Sequence, residues 1–261
     1  MSKLDKLAYK LKKPISKVRF LGLLQALFGM FEDPELTYQT LLARGFPLRE
    51  KGGKVELKTA STPLKDQEFV IVDIETNGSK PYNSQVIEIG AIKSRGGRII
   101  DRFESFIYAK EIPEYITKLT GIEAKDLKEA PSQKEVLLRF KEFLGDAVFV
   151  AHNVGFDYNF ISNKLEELGY GKLANRKLCS IDLAKRTIPS ERYGLEFLNK
   201  SLGIETAVSH RAYADALTAY KIMQKSLKKL PKSIKNAEEL IAFSKQAPSL
   251  KIESDEKAKS Q

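Results

Sequence analysis

The sequence predicts an α/β fold in which a mixed β-sheet is flanked by helices. Four segments have the length and apolar content of strands, at residues 69–75, 86–93, 98–109 and 147–151. Helical spacing of apolar residues recurs at residues 132–143, 155–168, 181–187, 194–202 and 211–229. Three successive strands followed by alternating helices and a strand are typical of a mixed sheet with helices on its faces.

The individual strands and turns of this central region have clear local signals. Residues 69–74 are apolar except for Asp73, which is the pattern of a central strand buried on both faces. Gly96 and Gly97 lie between the second and third strands and predict a hairpin turn. The helix over 132–143 has one apolar side, formed by Val136, Leu137, Phe140 and Phe143.

A small α+β extension precedes the central region. After a lysine-rich arm, the pattern predicts a helix over 15–31 and a second helix that begins with Asp33 as N-cap and Pro34 as its first residue. Two alternating segments around Gly52 and Gly53 predict a hairpin. Two helices and a hairpin loosely resemble a winged-helix module, although the same arrangement is a common way to build any small domain.

These patterns divide the chain into four parts. Residues 1–58 form the basic helix-helix-hairpin extension, residues 59–66 a linker, and residues 67–229 the helix-flanked sheet. Residues 230–261 contain one amphipathic helix, around 236–244, and a polar tail from Ser254 onwards that is typical of disorder.

Composition excludes several classes of protein. The chain has 261 residues, of which 42% are hydrophobic and 30% charged, as in globular proteins and unlike fibrous, disordered or multi-span membrane proteins. Its longest apolar stretch, residues 20–31, is too short to span a bilayer. The single cysteine, Cys179, cannot form an intramolecular disulfide, which favours a reducing compartment. We therefore expect a cytoplasmic protein that does not enter a membrane.

The net charge of +10 is unevenly distributed. Residues 1–65 carry 13 basic and 6 acidic residues, whereas residues 66–225 carry 23 of each. A basic balance is typical of proteins that bind polyanions, because neutralised phosphates release counterions. Many housekeeping proteins are also basic, so charge alone leaves nucleic-acid binding open.

Three acidic positions stand out from apolar surroundings. Asp73 and Glu75 are two apart on a predicted strand and so point to the same face. Asp157 lies one helical turn before Phe160 and Ile161. Asp215 lies on a helix face of small residues. Buried ionised carboxylates need cationic partners, such as lysine, arginine or metal. The alternatives are a solvated strand end at Asp73, an acid favoured by a helix start at Asp157, and an exposed acid at Asp215.

Both histidines have specific positions relative to these acids. His210 is five residues before Asp215, which is off the same helical face, so a shared site requires His210 to lie on the loop before the helix. His152 ends a predicted strand, where an ordinary hydrogen-bonded histidine is the simpler interpretation.

Taken together, these residues resemble the three motifs of the DEDDh 3′–5′ exonuclease family, in the family's order: Asp73-Ile-Glu75-Thr76-Asn-Gly78, His152-Asn153-Val-Gly-Phe-Asp157 and His210-Arg-Ala-Tyr-Ala-Asp215. Ile87-Glu-Ile-Gly90-Ala and Leu119-Thr-Gly-Ile122 resemble its intervening signatures. The likeness covers residues 67–225 and is greatest to the proofreading epsilon subunit of bacterial DNA polymerase III and to the exonuclease domain of its Gram-positive polymerase relative. Arg211 replaces the tyrosine of the sibling class, so the sequence resembles the histidine type.

The resemblance implies a fold and a set of site residues. The fold would be ribonuclease H-like, with a five-stranded mixed sheet. Two divalent ions, Mg²⁺ or Mn²⁺, would be held by four acids, Asp73, Glu75, Asp157 and Asp215. His210 would be the general base for hydrolysis of the 3′-terminal phosphodiester to a nucleoside 5′-monophosphate. The substrate-binding residues would be Thr76, Gly78, Asn153 and Thr120.

The resemblance also implies partners. The leading hypothesis is a proofreading subunit that acts on single-stranded or frayed DNA 3′ ends beside the catalytic subunit of DNA polymerase III. Gln246-Ala-Pro-Ser-Leu250 faintly resembles a sliding-clamp-binding peptide, although it lacks a terminal aromatic residue. The alternatives are a free-standing nuclease of DNA repair or RNA trimming, and a non-catalytic protein that binds DNA or a partner.

Overall fold

The computed structural model describes residues 1–204 and 210–250, and its centre is a five-stranded mixed sheet. The strands are β4 (Phe69–Thr76), β5 (Val86–Arg95), β6 (Arg98–Phe106), β7 (Val148–Ala151) and β8 (Lys177–Cys179). They lie in the order β6-β5-β4-β7-β8, with β4, β5 and β6 antiparallel and β4, β7 and β8 parallel. The predicted α/β class and mixed sheet are therefore confirmed. The fifth strand, β8, is only three residues long and has no periodicity signal of its own.

Helices cover both faces of this sheet. Their bounds are α5 (Glu114–Thr120), α6 (Ala124–Leu127), α7 (Gln133–Leu144), α8 (Val154–Glu167), α9 (Ser180–Thr187), α10 (Leu195–Ser201), α11 (Ala212–Leu227) and α12 (Ala237–Gln246). The two short helices α5 and α6 are additions that the sequence patterns did not predict. Among the described residues, no helix has the length and apolar content needed to cross a membrane.

The alternation of β4 determines which side chains meet which helices. Val70, Val72 and Ile74 pack in a core with α7 and α8, whereas Phe69 and Ile71 pack on the other face with α9, α11 and α12. Successive side chains of a strand point to opposite faces, so the odd-numbered residues of β4 share the face that α11 covers. This places the carboxylates of β4 on the α11 side of the sheet.

The extension folds around a core of its own. It contains α1 (Lys3–Lys10), β1 (Ile15–Ser16), α2 (Lys17–Phe28), α3 (Pro34–Ala43), β2 (Leu48–Lys51) and β3 (Lys54–Leu57), with a small sheet in the order β1-β3-β2. Asp33 caps α3 and Pro34 is its first residue, as predicted. The lysine-rich arm is the helix α1, which buries Leu7 and Ala8, and the predicted helix over 15–31 is instead a short strand followed by α2, which begins at Lys17 and ends at Phe28.

The segment predicted as a linker is ordered along the surface of the sheet domain. It contains α4 (Lys58–Ser61) and a 3₁₀ turn at Leu64–Asp66. The buried Thr59 donates a hydrogen bond from its hydroxyl to the carboxylate of Glu238 on α12 (2.7 Å). The predicted C-terminal helix is α12, and the polar tail beyond Leu250 lies outside the described residues.

Arg176, which directly precedes β8, connects the extension and α12 by hydrogen bonds. Its guanidinium donates two hydrogen bonds to Glu238 at 2.8 Å and one to Asp5 at 2.9 Å, and its side chain is only 11% exposed. Removing one partner of a buried ion pair leaves the other charge without compensation. We expect Arg176→Ala to lower the free energy of unfolding by about 3 kcal/mol.

Urea denaturation measures this loss. Arg139→Ala is the matched control, because Arg139 makes an exposed pair with Glu135 at 3.9 Å and a long contact with Phe103, 6.0 Å from the ring centroid. Its loss should cost about 1 kcal/mol. Equal losses in the two variants would contradict the structural importance of Arg176.

Candidate functional site

Three carboxylates meet at one end of the central sheet. Asp73 and Glu75 lie near the end of β4, and Asp215 lies in the first turn of α11. Each of the three offers a carboxylate oxygen, and these oxygens all lie within 4.8 Å of one another. The structure therefore brings together residues that are about 140 positions apart in the sequence.

The close approach of α11 to the sheet depends on Gly90. Gly90 pairs with Asp73 across the β4–β5 ladder, and the backbone of α11 crosses directly above it. A Cβ atom at Gly90 would lie 2.1 Å from the backbone nitrogen of Tyr213. Only a residue without a side chain lets the first turn of α11 approach the sheet this closely. This close approach brings Asp215 within reach of the carboxylates of β4.

Asp157 approaches the same cluster from α8. Its side chain is 4% exposed, and backbone hydrogen bonds at Ile74 and at Asp157 itself favour its charged form. Burial nevertheless outweighs these hydrogen bonds and raises its pKa to about 7. Its charge also raises the pKa of Asp73, as expected for an acid close to the cluster.

The pKa values of the other three acids are raised as well. Burial is the largest cause in each case, and mutual repulsion adds to it at Asp73 and Glu75. The pKa of Glu75 reaches about 8. Arg211 lowers it slightly, but the guanidinium of Arg211 is hydrogen-bonded to Glu88 instead. Four acids that offer only carboxylate oxygens fit hard divalent cations.

His210 lies at the entrance of this cluster, on the loop before α11. It is exposed, and its backbone N–H donates a hydrogen bond to Oδ2 of Asp215 (3.0 Å). Its backbone has φ of 63°, a left-handed conformation that is uncommon for a residue with a side chain. The sequence required His210 to lie on the loop before the helix if it was to share a site with Asp215. The structure places it there, two residues before α11 begins.

His152 has a supporting position. Its Nδ1 lies 2.8 Å from the hydroxyl of Ser180, and its Nε2 lies 2.8 Å from the carbonyl oxygen of Tyr193. Burial lowers its pKa, so the neutral ring is favoured. Both ring nitrogens are engaged within the protein, as the simpler interpretation of His152 predicts.

Two of the four predicted substrate-binding residues shape the loop after β4. The hydroxyl of Thr76 donates a hydrogen bond to the carbonyl oxygen of Gly78 (2.8 Å). A Cβ atom at Gly78 would lie 2.3 Å from Oγ of Ser84, so this loop is tightly packed. It begins one residue after Glu75, at the end of β4.

The other two predicted substrate-binding residues have different surroundings. Asn153 precedes α8 with φ of 82°, and its side chain makes no capping hydrogen bond to the helix. Thr120 is buried, and its hydroxyl donates to the carbonyl oxygen of Ile116 (2.9 Å) and accepts from the N–H of Ile122 (3.1 Å). The hydroxyl of Thr120 is therefore committed to the backbone at the end of α5.

Sequence reasoning did not single out Glu88, which supports the start of α11. Glu88 is 1% exposed and pairs with Glu75 in the sheet register. Its carboxylate accepts hydrogen bonds from Arg211 (2.9 Å) and from the backbone N–H of Ala212 (3.1 Å). The sequence signal for Glu88 was an acid inside the apolar segment 86–92. Its role, accepting hydrogen bonds from the start of α11, is visible only in the tertiary structure.

Comparisons with known proteins agree with this geometry. The sequence profile described as "Exonuclease" (RNase T type) matches residues 70–223. The PolC-type DNA polymerase III of Staphylococcus aureus (strain bovine RF122 / ET3-1) is 41% identical over 177 residues, and that of Staphylococcus haemolyticus is equally similar. This alignment covers 66% of the present chain but only 12% of each polymerase.

Solved structures share the fold. Escherichia coli exonuclease I in complex with a dA16 oligonucleotide matches with a TM-score of 0.57 and 17% identity, over 64% of this chain and 42% of that one. Exonuclease X in complex with 5′ overhanging duplex DNA matches with a TM-score of 0.54 and 20% identity, over 67% and 99%. These likenesses confirm the ribonuclease H-like fold. The family profile, which matches residues 70–223, shows that the chain belongs to the exonuclease family.

Proposed function

We propose that this protein is a metal-dependent 3′–5′ exonuclease that hydrolyses the terminal phosphodiester of DNA and releases nucleoside 5′-monophosphates. The observation that carries the proposal is the convergence of Asp73, Glu75, Asp157 and Asp215, which three elements hold together although their pKa values are raised. Such an arrangement is costly without cations, so a binding function explains it better than a structural one.

The four carboxylates would hold two divalent ions, Mg²⁺ or Mn²⁺. When bound, such ions stabilise the negative charge that develops on the phosphodiester during hydrolysis. His210 is the proposed general base: its exposed side chain, at the entrance of the cluster, would take a proton from the attacking water. The hydrogen bond from its backbone to Asp215 keeps His210 next to the site.

The 3′-terminal nucleotide would lie against the loop that begins at Thr76. Gly78 would contribute through its backbone, because Ser84 occupies the space that a side chain would fill. Asn153, whose side chain makes no capping hydrogen bond to α8, would offer its side-chain amide. Thr120 would contribute through the shape of the turn after α5, because its hydroxyl is already used.

The replicative polymerases that this chain resembles suggest its context. We propose that it acts on single-stranded or frayed DNA ends as a proofreading activity, in the cytoplasm, together with a polymerase catalytic subunit. Co-purification with that subunit would support this context, and recovery of a sliding clamp would assign a role to residues 246–250. Preference for short RNA without a polymerase would favour the free-standing nuclease, and unchanged cellular function of Asp73→Ala protein would favour a non-catalytic role.

Degradation of a 5′-labelled single-stranded DNA oligonucleotide tests the chemistry directly. We expect a ladder that shortens from the 3′ end with Mg²⁺ or Mn²⁺, no ladder with EDTA, and slower loss of the matching RNA. Asp215→Asn should abolish the ladder, whereas Asp101→Asn should not, because Asp101 is an exposed acid at the other end of β6. Folded wild-type protein that cleaves neither strand would refute the proposed enzyme.

A further inference from the structure

A second feature at the same end of the sheet is a groove with three lysines. It has a volume of about 320 Å³ and is lined by Tyr108, Ala109, Lys110, Ala124, Lys125 and Lys128. We call it the lysine groove. No acidic side chain lines it, and within the described residues neither Lys110 nor Lys128 forms an ion pair, whereas Lys125 pairs with Glu123 (2.8 Å).

Hydrogen bonds connect this groove to the loop that follows the acidic cluster. The side-chain amide of Gln85 donates to the carbonyl oxygen of Tyr108 (2.6 Å), and the backbone N–H of Gln85 donates to the side chain of Asn77 (2.8 Å). Asn77 lies between Thr76 and Gly78, in the proposed pocket for the terminal nucleotide. One residue, Gln85, therefore bridges the terminal-nucleotide loop and the lysine groove.

A second connection runs through α6 on the other side of the groove. Asp126, between Lys125 and Leu127, is close enough to Arg211 to raise its pKa. Arg211 binds Glu88, the neighbour of Glu75 in the sheet, and directly follows His210. The groove is therefore connected to the loop after the acidic cluster by the hydrogen bonds of Gln85, and α6 is close enough to Arg211 for their charges to interact.

The charge of the groove contrasts with the domain around it. Residues 66–225 have equal numbers of basic and acidic residues, so attraction for a polyanion must come from local surfaces. The acidic cluster itself repels phosphate unless cations are bound. The groove has three lysines, two of which form no ion pair in the part of the chain that the structure describes, and they supply the positive charge that a phosphate backbone needs. The exposed ring of Tyr108 offers a stacking surface for a base.

We propose that the lysine groove binds the phosphates of nucleotides upstream of the 3′-terminal one, with Lys110 and Lys128 as the principal contacts. The proposal rests on the exonuclease function proposed above and adds an assigned site for the rest of the strand. It predicts that the groove matters for an oligonucleotide and not for a substrate with a single nucleotide.

A comparison of two substrates tests the proposal. Lys110→Ala/Lys128→Ala protein is assayed on a 12-nucleotide single-stranded DNA and on the p-nitrophenyl ester of thymidine 5′-monophosphate. We expect KM for the oligonucleotide to rise about tenfold with little change in kcat. The slope of log KM against log salt concentration should become shallower by about 1.4, which is about 0.7 for each of the two lost phosphate contacts. Both constants for the ester should stay as in the wild type.

The matched control is Lys228→Ala/Lys229→Ala. It removes the same charge from exposed lysines beyond the end of α11, about 20 Å from Asp215 along the helix axis. The groove proposal is overturned if the two double variants show the same KM for the oligonucleotide, or if the groove variant loses activity on the ester equally. Wild-type protein that hydrolyses neither substrate would overturn the exonuclease function, and the role of the groove with it.

Discussion

Asp157→Asn is expected to lower the exonuclease rate by more than about 100-fold and, at the same time, to raise the Tm of the metal-free protein. The rate falls because an amide binds a divalent cation far more weakly than a carboxylate, and even outer-shell partners of metal ligands change activity by 10–100-fold. The stability rises because the substitution removes a buried carboxylate whose charged form is disfavoured by its burial.

The pH dependence of this stabilisation follows from the raised pKa of Asp157. At low pH, below the ordinary aspartate pKa of 3.8, the carboxyl is protonated in both the folded and the unfolded protein, so its burial costs little. As pH rises towards about 7, the unfolded chain has released its proton whereas the folded protein holds it, and stability falls. The raised pKa of Glu75, about 8, continues this fall to higher pH.

Thermal melts between pH 5 and 9 measure the effect. Without metal, the Tm of the wild type should decrease over this range. The Tm of Asp157→Asn should be higher than that of the wild type, and the difference should be largest at pH 8 and above. Mn²⁺ should raise the Tm of the wild type more at pH 8 than at pH 5, because the carboxyl groups must lose their protons to bind it. Asp101→Asn, an exposed acid, should follow the wild type throughout. A metal-free Tm of Asp157→Asn at or below that of the wild type at pH 8 would contradict the electrostatic account.

Gly90→Ala is expected to disrupt the placement of α11. The added methyl group would lie 2.1 Å from the nitrogen of Tyr213, 2.2 Å from the carbonyl carbon of Ala212 and 2.4 Å from Cα of Tyr213. All three contacts are backbone atoms, so a rotamer change cannot relieve them, and the helix must move as a whole. We expect the free energy of unfolding to fall by about 3 kcal/mol and activity to be lost even at temperatures where the variant is folded, because Asp215 moves with the helix.

Gly22→Ala is the matched control for this substitution. Gly22 is exposed within α2, and its added methyl group would meet nothing within 4 Å. Alanine is a better helix former than glycine, so this variant should gain about 0.5–1 kcal/mol in urea denaturation. A second measurement is the rise in Tm on addition of Mn²⁺, which should shrink in Gly90→Ala and persist in Gly22→Ala. Wild-type stability of Gly90→Ala would show that α11 is not held against the sheet as described.

Local sequence signals predicted the elements that have long or well-marked patterns. The apolar segment around Asp73 predicted β4 as a buried central strand, and Asp33 with Pro34 predicted the start of α3. The same signals failed for β8 and α6. Three strand residues are one and a half periods and four helical residues are little more than one turn, so neither element repeats its pattern often enough to be recognised. The arm before α2 was also missed as a helix, since its lysines conceal the apolar face that Leu7 and Ala8 bury.

The candidate site was likewise predicted in part from the sequence and revealed in part only by the tertiary structure. The two-residue spacing of Asp73 and Glu75 on a strand was enough to place them on one face, and the order of the acidic motifs was enough to indicate the exonuclease family. Only the tertiary structure brought Asp215 to that face and Asp157 to the backbone of Ile74 between the two acids of β4. Only it showed that Glu88 holds the start of α11 and that lysines of two separate segments line one groove. Spacing and hydrophobic pattern describe neighbours along the chain, whereas burial, repulsion between carboxylates and the clearance above Gly90 depend on residues that meet only when the sheet and its helices have packed.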